Sequence, residues 1–152
     1  MLGSAASAEA LGVVELDDDG EGLERAMRAA LADAGCRARD VALIVAHGNA
    51  TRASDRSEAA AITRVFGDTV PPVTATKWAV GHLFAAAGVF DVLTAVTALR
   101  AGVAPGIATL RTVDPACAVL PLSREPQTLR GDTALVLSRG FAGTNAAVVV
   151  RA

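Results

Sequence analysis

Aromatic side chains are scarce in this chain of 152 residues: they make up 3% of it, and tyrosine is absent. A core therefore has to come from Ala, Val and Leu among the 52% of residues that are hydrophobic, which suits close packing of helices on a sheet. Cysteine is nearly missing too. Cys36 and Cys117 stand far apart without CxxC spacing, which argues against a disulfide framework or a zinc site and makes a reducing cytoplasm the expected location. The 14 Lys and Arg against 16 Asp and Glu include no basic run that could track a phosphate backbone, so no nucleic-acid partner is expected. Met1 to Ala10 lacks the basic region of a signal peptide. Trp78 to Leu99 could imitate a membrane span, but His82, Asp91, Gly81, Gly88 and many alanines point to a helix buried in protein, and no membrane association is expected. The length fits one domain over residues 1–152.

Strand and helix signals alternate along the chain. A strand-like opening continues in extended style through Leu11 to Glu15, until Asp17-Asp18-Asp19-Gly20 breaks it with a turn. Leu23, Met27, Ala30, Leu31 and Ala34 recur on one helical face, with Glu21 and Glu24 in the first turn and Gly35 as C-terminal cap. Val41 to Ala46 is a continuous apolar run, the pattern of a strand buried on both faces. Ser54 or Asp55 is placed to cap a second helix, which turns Ala59, Ile62, Val65 and Phe66 inward and ends at Gly67. Val73 to Thr76 reads as a short strand leading to Lys77. A long apolar helix, ending near Gly102, is expected next and must be covered on all sides. After a Pro-rich loop, Thr133 to Ser138 and Ala146 to Arg151 read as strands joined through Gly140 to Asn145. The pattern predicts an α/β fold: a mixed sheet, helices on both faces, and a central buried helix at Trp78 to Leu99.

The chain has two histidines, each beside a glycine at the mouth of an apolar segment: Ala46-His47-Gly48 and Val80-Gly81-His82. With Lys77 they offer two neutral-pH proton donors and a cation, a set suited to polarising a carbonyl. Function in open α/β sheets gathers at the carboxyl ends of strands. His47, the Lys77 to His82 loop and the Gly140 to Asn145 turn all fall at such ends, so they are expected to converge. Asp91, set among Ala, Val and Phe, needs a partner. Nothing at ligand spacing completes a metal site with the histidines, and none is expected. Cys36, after a helix-ending glycine, and Cys117, in the Pro-rich loop, read as plain thiols.

His47-Gly48-Asn49-Ala50-Thr51, then Asp55 and Glu58, then Lys77-Trp78-Ala79-Val80-Gly81-His82, then Gly140-Phe141-Ala142-Gly143-Thr144-Asn145 form an ordered series. It resembles the C-terminal half of the β-ketoacyl synthases, the condensing enzymes of fatty acid and polyketide synthesis with a thiolase-type fold. The resemblance covers essentially the whole chain. It implies one half of a thiolase-like fold and a part in decarboxylative Claisen condensation. In that family a cysteine thiolate holds an acyl chain, a malonyl thioester on an acyl carrier protein loses carbon dioxide, and the carbanion attacks.

By the same resemblance, His47 and His82 would hydrogen-bond the thioester carbonyl and stabilise the enolate. His82 would be held neutral at the positive end of the long helix. Lys77 would anchor a charge network with Asp55, Glu58 and Asp91, Asn49 and Thr51 would hold the pantetheine arm, and Phe141 would gate the acyl pocket. Four positions depart from the family pattern. Asn49 stands where threonine is usual, and Asp91 where glutamate is usual, shortening its reach to Lys77 by one methylene. Arg139 replaces an apolar residue. Ala142 replaces a glycine, which restricts the gate if its backbone needs a positive φ. No cofactor is implied beyond phosphopantetheine-linked substrates on a carrier protein. The family's nucleophilic cysteine belongs to an N-terminal half, so the implied partners are such a half, or a second ketosynthase-like subunit, and the acyl carrier protein. The alternative is a non-catalytic subunit that shapes a partner's acyl tunnel, as chain-length factors do, or a decayed remnant.

Overall fold

Apolar residues that alternate along the strands decide how the layers stack. In a computed structural model that describes residues 1–10, 12–13 and 17–152, the strands are β1 (Gly3–Ser7), β2 (Leu43–Val45), β3 (Val73–Thr74), β4 (Val103–Ala104), β5 (Gln127–Thr128), β6 (Thr133–Arg139) and β7 (Asn145–Arg151). Most of the extended stretch expected at Leu11 to Glu15 lies outside the described residues. Five strands form one sheet in the order β1-β7-β6-β2-β3, and β4 pairs with β5 in a small second sheet. The large sheet is mixed: β2 runs parallel to β3 and β6, while β7 is antiparallel to β6 and β1.

Successive strand residues point to opposite faces. Ile44, Leu135, Leu137, Ala147 and Val149 enter one core, and Leu43, Val45, Ala134, Val136 and Val150 enter the other. Helices α1 (Glu21–Asp33) and α2 (Arg52–Phe66) close the first face with Leu23, Met27, Leu31, Ile62 and Phe66. A short helix, α3 (Lys77–Val80), follows β3, and α4 (Ala87–Ala101) closes the second face with Ala95, Ala98 and Leu99. The expected α/β arrangement with helices on both faces is the one observed.

Two local expectations are corrected. Helix α2 starts a turn earlier than its expected caps, with Thr51 at the N-cap. The N–H of Thr51 donates to Asn49 Oδ1 at 3.0 Å, so the chain is already bent into the helix before Ser54 and Asp55. The larger correction concerns the helix expected from Trp78 to Leu99. It is broken: α3 ends at Gly81, whose φ of 73° and ψ of −178° leave the helix, a 3-10 turn spans Phe84–Ala86, and α4 begins at Ala87. It is also not covered on all sides. Asp91, Ala95 and Ala98 are buried against the sheet, whereas Phe84, Val89 and Leu93 are 70%, 65% and 60% exposed. Residues 84–101 are long and apolar enough to cross a membrane, yet their buried side lies on protein and carries an ion-paired aspartate.

Candidate active site

Because β2, β3 and β6 are parallel neighbours, their carboxyl ends lie along one sheet edge. That edge receives His47 after β2, Lys77 after β3 and the Gly140 to Asn145 turn after β6. The rings of His47 and His82 meet edge to face, with centroids 5.4 Å apart and planes at 70°. His47 Nδ1 accepts the backbone N–H of Arg139 at 3.3 Å, and His82 Nδ1 accepts the backbone N–H of Phe84 at 3.0 Å. An imidazole that accepts at Nδ1 carries its proton on Nε2. Each ring is thereby left as an Nε2–H donor, and both line a cavity of about 560 Å³ together with Asn49, Thr51 and Phe141.

His47 is 3% exposed. Burial, reinforced by the nearby positive charges of Lys77 and Arg139, pushes its pKa down to about 3, so it is a neutral donor at ordinary pH. His82 does not stand at the expected place, the start of the long helix. The helix behind it begins five residues later, at Ala87, and it is the Phe84 N–H that occupies Nδ1.

A pH dependence of stability follows from His47. Its folded pKa lies below the usual histidine value of 6.5, so between about pH 6.5 and 3 the unfolded chain binds a proton that the folded chain refuses. This contribution to stability falls as the pH drops, by at most about 1.4 kcal/mol per pH unit. Glu58 and Asp55, raised by burial, act with the opposite sign. Urea denaturation at a series of pH values is therefore expected to show a steeper acid loss for the unmodified chain than for His47→Asn.

Behind the histidines the expected charge network divides into separate parts. Lys77 Nζ meets Asp91 Oδ2 at 3.2 Å, with side chains 6% and 1% exposed, and Thr76 Oγ1 donates to Asp91 Oδ1. The shorter aspartate reaches its lysine. Asp55 and Glu58 do not join this pair. Glu58 accepts the backbone N–H groups of His47 at 2.7 Å and Gly48 at 2.9 Å, gripping the turn that carries the imidazole. Asp55 accepts from the backbone of Ala50, and its Oδ1 has no hydrogen-bond partner among the described residues. Asn49 and Thr51 bond each other, since Asn49 Oδ1 accepts both the N–H and the hydroxyl of Thr51. The Asn49 amide N–H groups and the lone pairs of the Thr51 hydroxyl are what remain for a ligand.

Against this geometry, the family described as "Beta-ketoacyl synthase, C-terminal domain" matches residues 1–111. The chain belongs to this family. It is 42% identical over 130 residues to the actinorhodin polyketide putative beta-ketoacyl synthase 2 of Streptomyces coelicolor, an alignment that covers 86% of this chain and 32% of the relative. Among solved structures it superposes on the ishigamide ketosynthase/chain length factor with a TM-score of 0.92 and 31% identity, over 99% of this chain and 37% of that one. It also superposes, at a TM-score of 0.94 and 29% identity, on a type II polyketide ketosynthase solved with its acyl-carrier protein and a hexaketide, over 99% of this chain and 38% of that one. The ketosynthase domain thus has the thiolase-like α/β fold of its relatives and corresponds to their C-terminal half. It spans about a third of the length of the curated relatives it matches.

In this ketosynthase domain the loop bearing Phe141 is braced from below. Ala142 has φ 55°, a conformation that costs an alanine about 1–2 kcal/mol, and its N–H is held by the Val13 carbonyl at 2.8 Å. At Gly143, with φ 67°, a Cβ would collide with the Glu9 backbone. Phe141 itself is 66% exposed at the cavity mouth.

Sequence patterns did not single out Arg139, Glu9 or Asn145 as part of the site's support, although a guanidinium inside an apolar strand was the signal. Nor did they point to a second cavity of about 600 Å³, lined by Lys77, Trp78, His82, Thr109, Arg111 and Cys117. Burial, followed by the nearby carboxylates Asp55, Asp114 and Glu58, raises the Cys117 thiol above its ordinary pKa, the opposite of an activated nucleophile.

Proposed function

We propose that this chain supplies the enolate-stabilising half of a ketosynthase active site, acting on malonyl thioesters. The carrying observation is the pair of imidazoles, 5.4 Å apart, each with Nδ1 occupied by a backbone N–H and Nε2–H left to donate. Two fixed donors aimed at one thioester carbonyl oxygen bind the enolate more strongly than the ground-state carbonyl, because negative charge grows on that oxygen as the carbon–carbon bond to the carboxylate breaks. The electron pair of that bond becomes the enolate, carbon dioxide leaves, and the carbanion attacks an acyl thioester. Buried Lys77 supplies positive potential beside His47. The Asn49 amide and the Thr51 hydroxyl suit the amide groups of a pantetheine arm, and Phe141 stands at the mouth as its gate.

The acyl-holding cysteine would come from an N-terminal ketosynthase half, since Cys117 is buried with its thiol pKa raised and Cys36 lies outside both cavities. The apolar face of α4, with Val89 and Leu93 exposed, together with Phe84 in the turn before it, fits such a partner. Relatives of known structure are a ketosynthase with a chain length factor and a ketosynthase with its acyl-carrier protein, which supports an assembly of the same kind here. The strained Ala142 in the gate loop favours a second reading, a non-catalytic subunit that shapes a partner's acyl tunnel.

Reconstitution tests the proposal. Co-expressed with a ketosynthase half bearing the nucleophilic cysteine, the chain is expected to co-purify and to release carbon dioxide from malonyl-acyl carrier protein. Leu93→Asp, at an exposed position, is expected to leave the chain folded and weaken association at least tenfold, about 1.4 kcal/mol. A stable monomer that binds no such half would sink the proposal.

A further inference from the structure

We infer that Arg139 is a positioning residue for His47: its guanidinium anchors the end of β6 so that its own backbone N–H caps His47 Nδ1 and leaves Nε2–H as the donor. The consequence for decarboxylation rests on the proposed function, whereas the assignment to His47 does not.

A guanidinium that is 6% exposed is costly unless its donors are met. The chain meets Nε and Nη1 with hydrogen bonds from two directions, while Nη2 has an ion-pair contact and no hydrogen-bond partner among the described residues. Nε donates to Asn145 Oδ1 at 3.1 Å, and Nη1 to Ser57 Oγ at 3.1 Å and to the Ser54 carbonyl at 3.4 Å. Nη2 faces Glu9 Oε1 at 3.7 Å, where the Glu9 side chain is 4% exposed. The anchors lie on α2, on the first residue of β7 and on the segment after β1, so three parts of the fold close on one side chain. Arg139 is the last residue of β6, in register with Asn145, and its main-chain N–H turns to His47. Glu9 in turn accepts from Asn145 Nδ2 at 2.7 Å, and its N–H donates to the Gly143 carbonyl. An apolar residue at this position would strip Glu9 of its counter-charge and leave Asn145 Oδ1 without its donor.

The charged and titratable groups facing His47 are Lys77 from α3, His82 from the loop before α4, Arg139 from β6, and Glu58 from α2, which accepts the His47 N–H. Removing the guanidinium takes away a positive neighbour and frees the charge of Glu9. Both changes favour the imidazolium.

The test is ¹⁵N NMR of the His47 ring in the full chain, comparing Arg139→Met, Arg139→Lys and the double variant Glu9→Gln with Arg139→Met. The unmodified chain is expected to show one tautomer, protonated at Nε2. Arg139→Met is expected to give mixed ring-nitrogen shifts and a titration midpoint raised by about one pH unit. Arg139→Lys keeps the charge without the planar fork, so it should restore the midpoint but not the single tautomer. The double variant buries no unpaired charge and keeps the question open to measurement if Arg139→Met fails to fold. Its ring should still show mixed tautomers. An unchanged His47 tautomer in whichever of the single Arg139→Met variant and the double variant folds overturns the inference. Loss of the proposed function would show instead as decarboxylation surviving removal of His47, with the ring shifts as described.

Discussion

Replacing His47 with alanine in the reconstituted complex is expected to slow carbon dioxide release from malonyl-acyl carrier protein about 10²–10³-fold, and replacing His82 should do the same within a similar range. The size follows from the environment. A hydrogen bond to a developing oxyanion in a site shielded from water is worth about 3–4 kcal/mol, and His47 is buried to 3% exposure with its pKa held near 3, so it never competes as a cation in the working range. Because both rings serve one oxygen, the double alanine variant should fall well short of the product of the single effects. His47→Asn keeps an N–H donor and is expected to recover part of the rate. Circular dichroism and denaturant midpoints separate this from a folding defect. Rates within twofold of the unmodified complex for both alanine variants would remove the histidines from the chemistry.

The largest effect on stability is expected at Asp91. The pair with Lys77 is almost without solvent, at 1% and 6% side-chain exposure, and Asp91 also accepts the Thr76 hydroxyl. Asp91→Ala leaves an ammonium buried without its partner, which costs about 3–5 kcal/mol. For a chain of this length that corresponds to a fall in Tm of roughly 10 °C. Removing both charges with Lys77→Met and Asp91→Leu is expected to recover most of the loss, since two buried ions and their desolvation disappear together. If the double variant retains stability but loses decarboxylation, Lys77 serves the site electrostatically. If Asp91→Ala unfolds at the same urea concentration as the unmodified chain, the pair holds nothing together.

How far these features could be read from residues differs from place to place. The two-faced core was legible because Leu43 to Val45, Ala134 to Leu137 and Ala147 to Val150 are continuous apolar runs, the pattern of strands buried on both faces between helices. The partnership of Asp91 was legible as a need, a carboxylate in an apolar helix. The break between Gly81 and Ala87 was not. Residues 82–86 are compatible with a helix, and the interruption depends on Gly81 leaving the helix and on Phe84 adopting φ 50° with its N–H bound to His82. The role of Glu58 also escaped the pattern. Placed near a lysine by motif, it instead binds two main-chain N–H groups, contacts that no spacing rule reports.

By itself the sequence determined the inventory and its address: two imidazoles, a lysine and a glycine loop, all at the carboxyl ends of strands that short parallel pairing must bring to one edge. Only the tertiary structure decided what those groups can do. The proton of His47 sits on Nε2 because a backbone N–H 92 residues later in the chain occupies Nδ1. The imidazole stays neutral because the fold removes water and packs positive charges around it. Hydrogen-bond direction and desolvation are properties of neighbours in space, and neighbours in space are fixed by packing rather than by order along the chain.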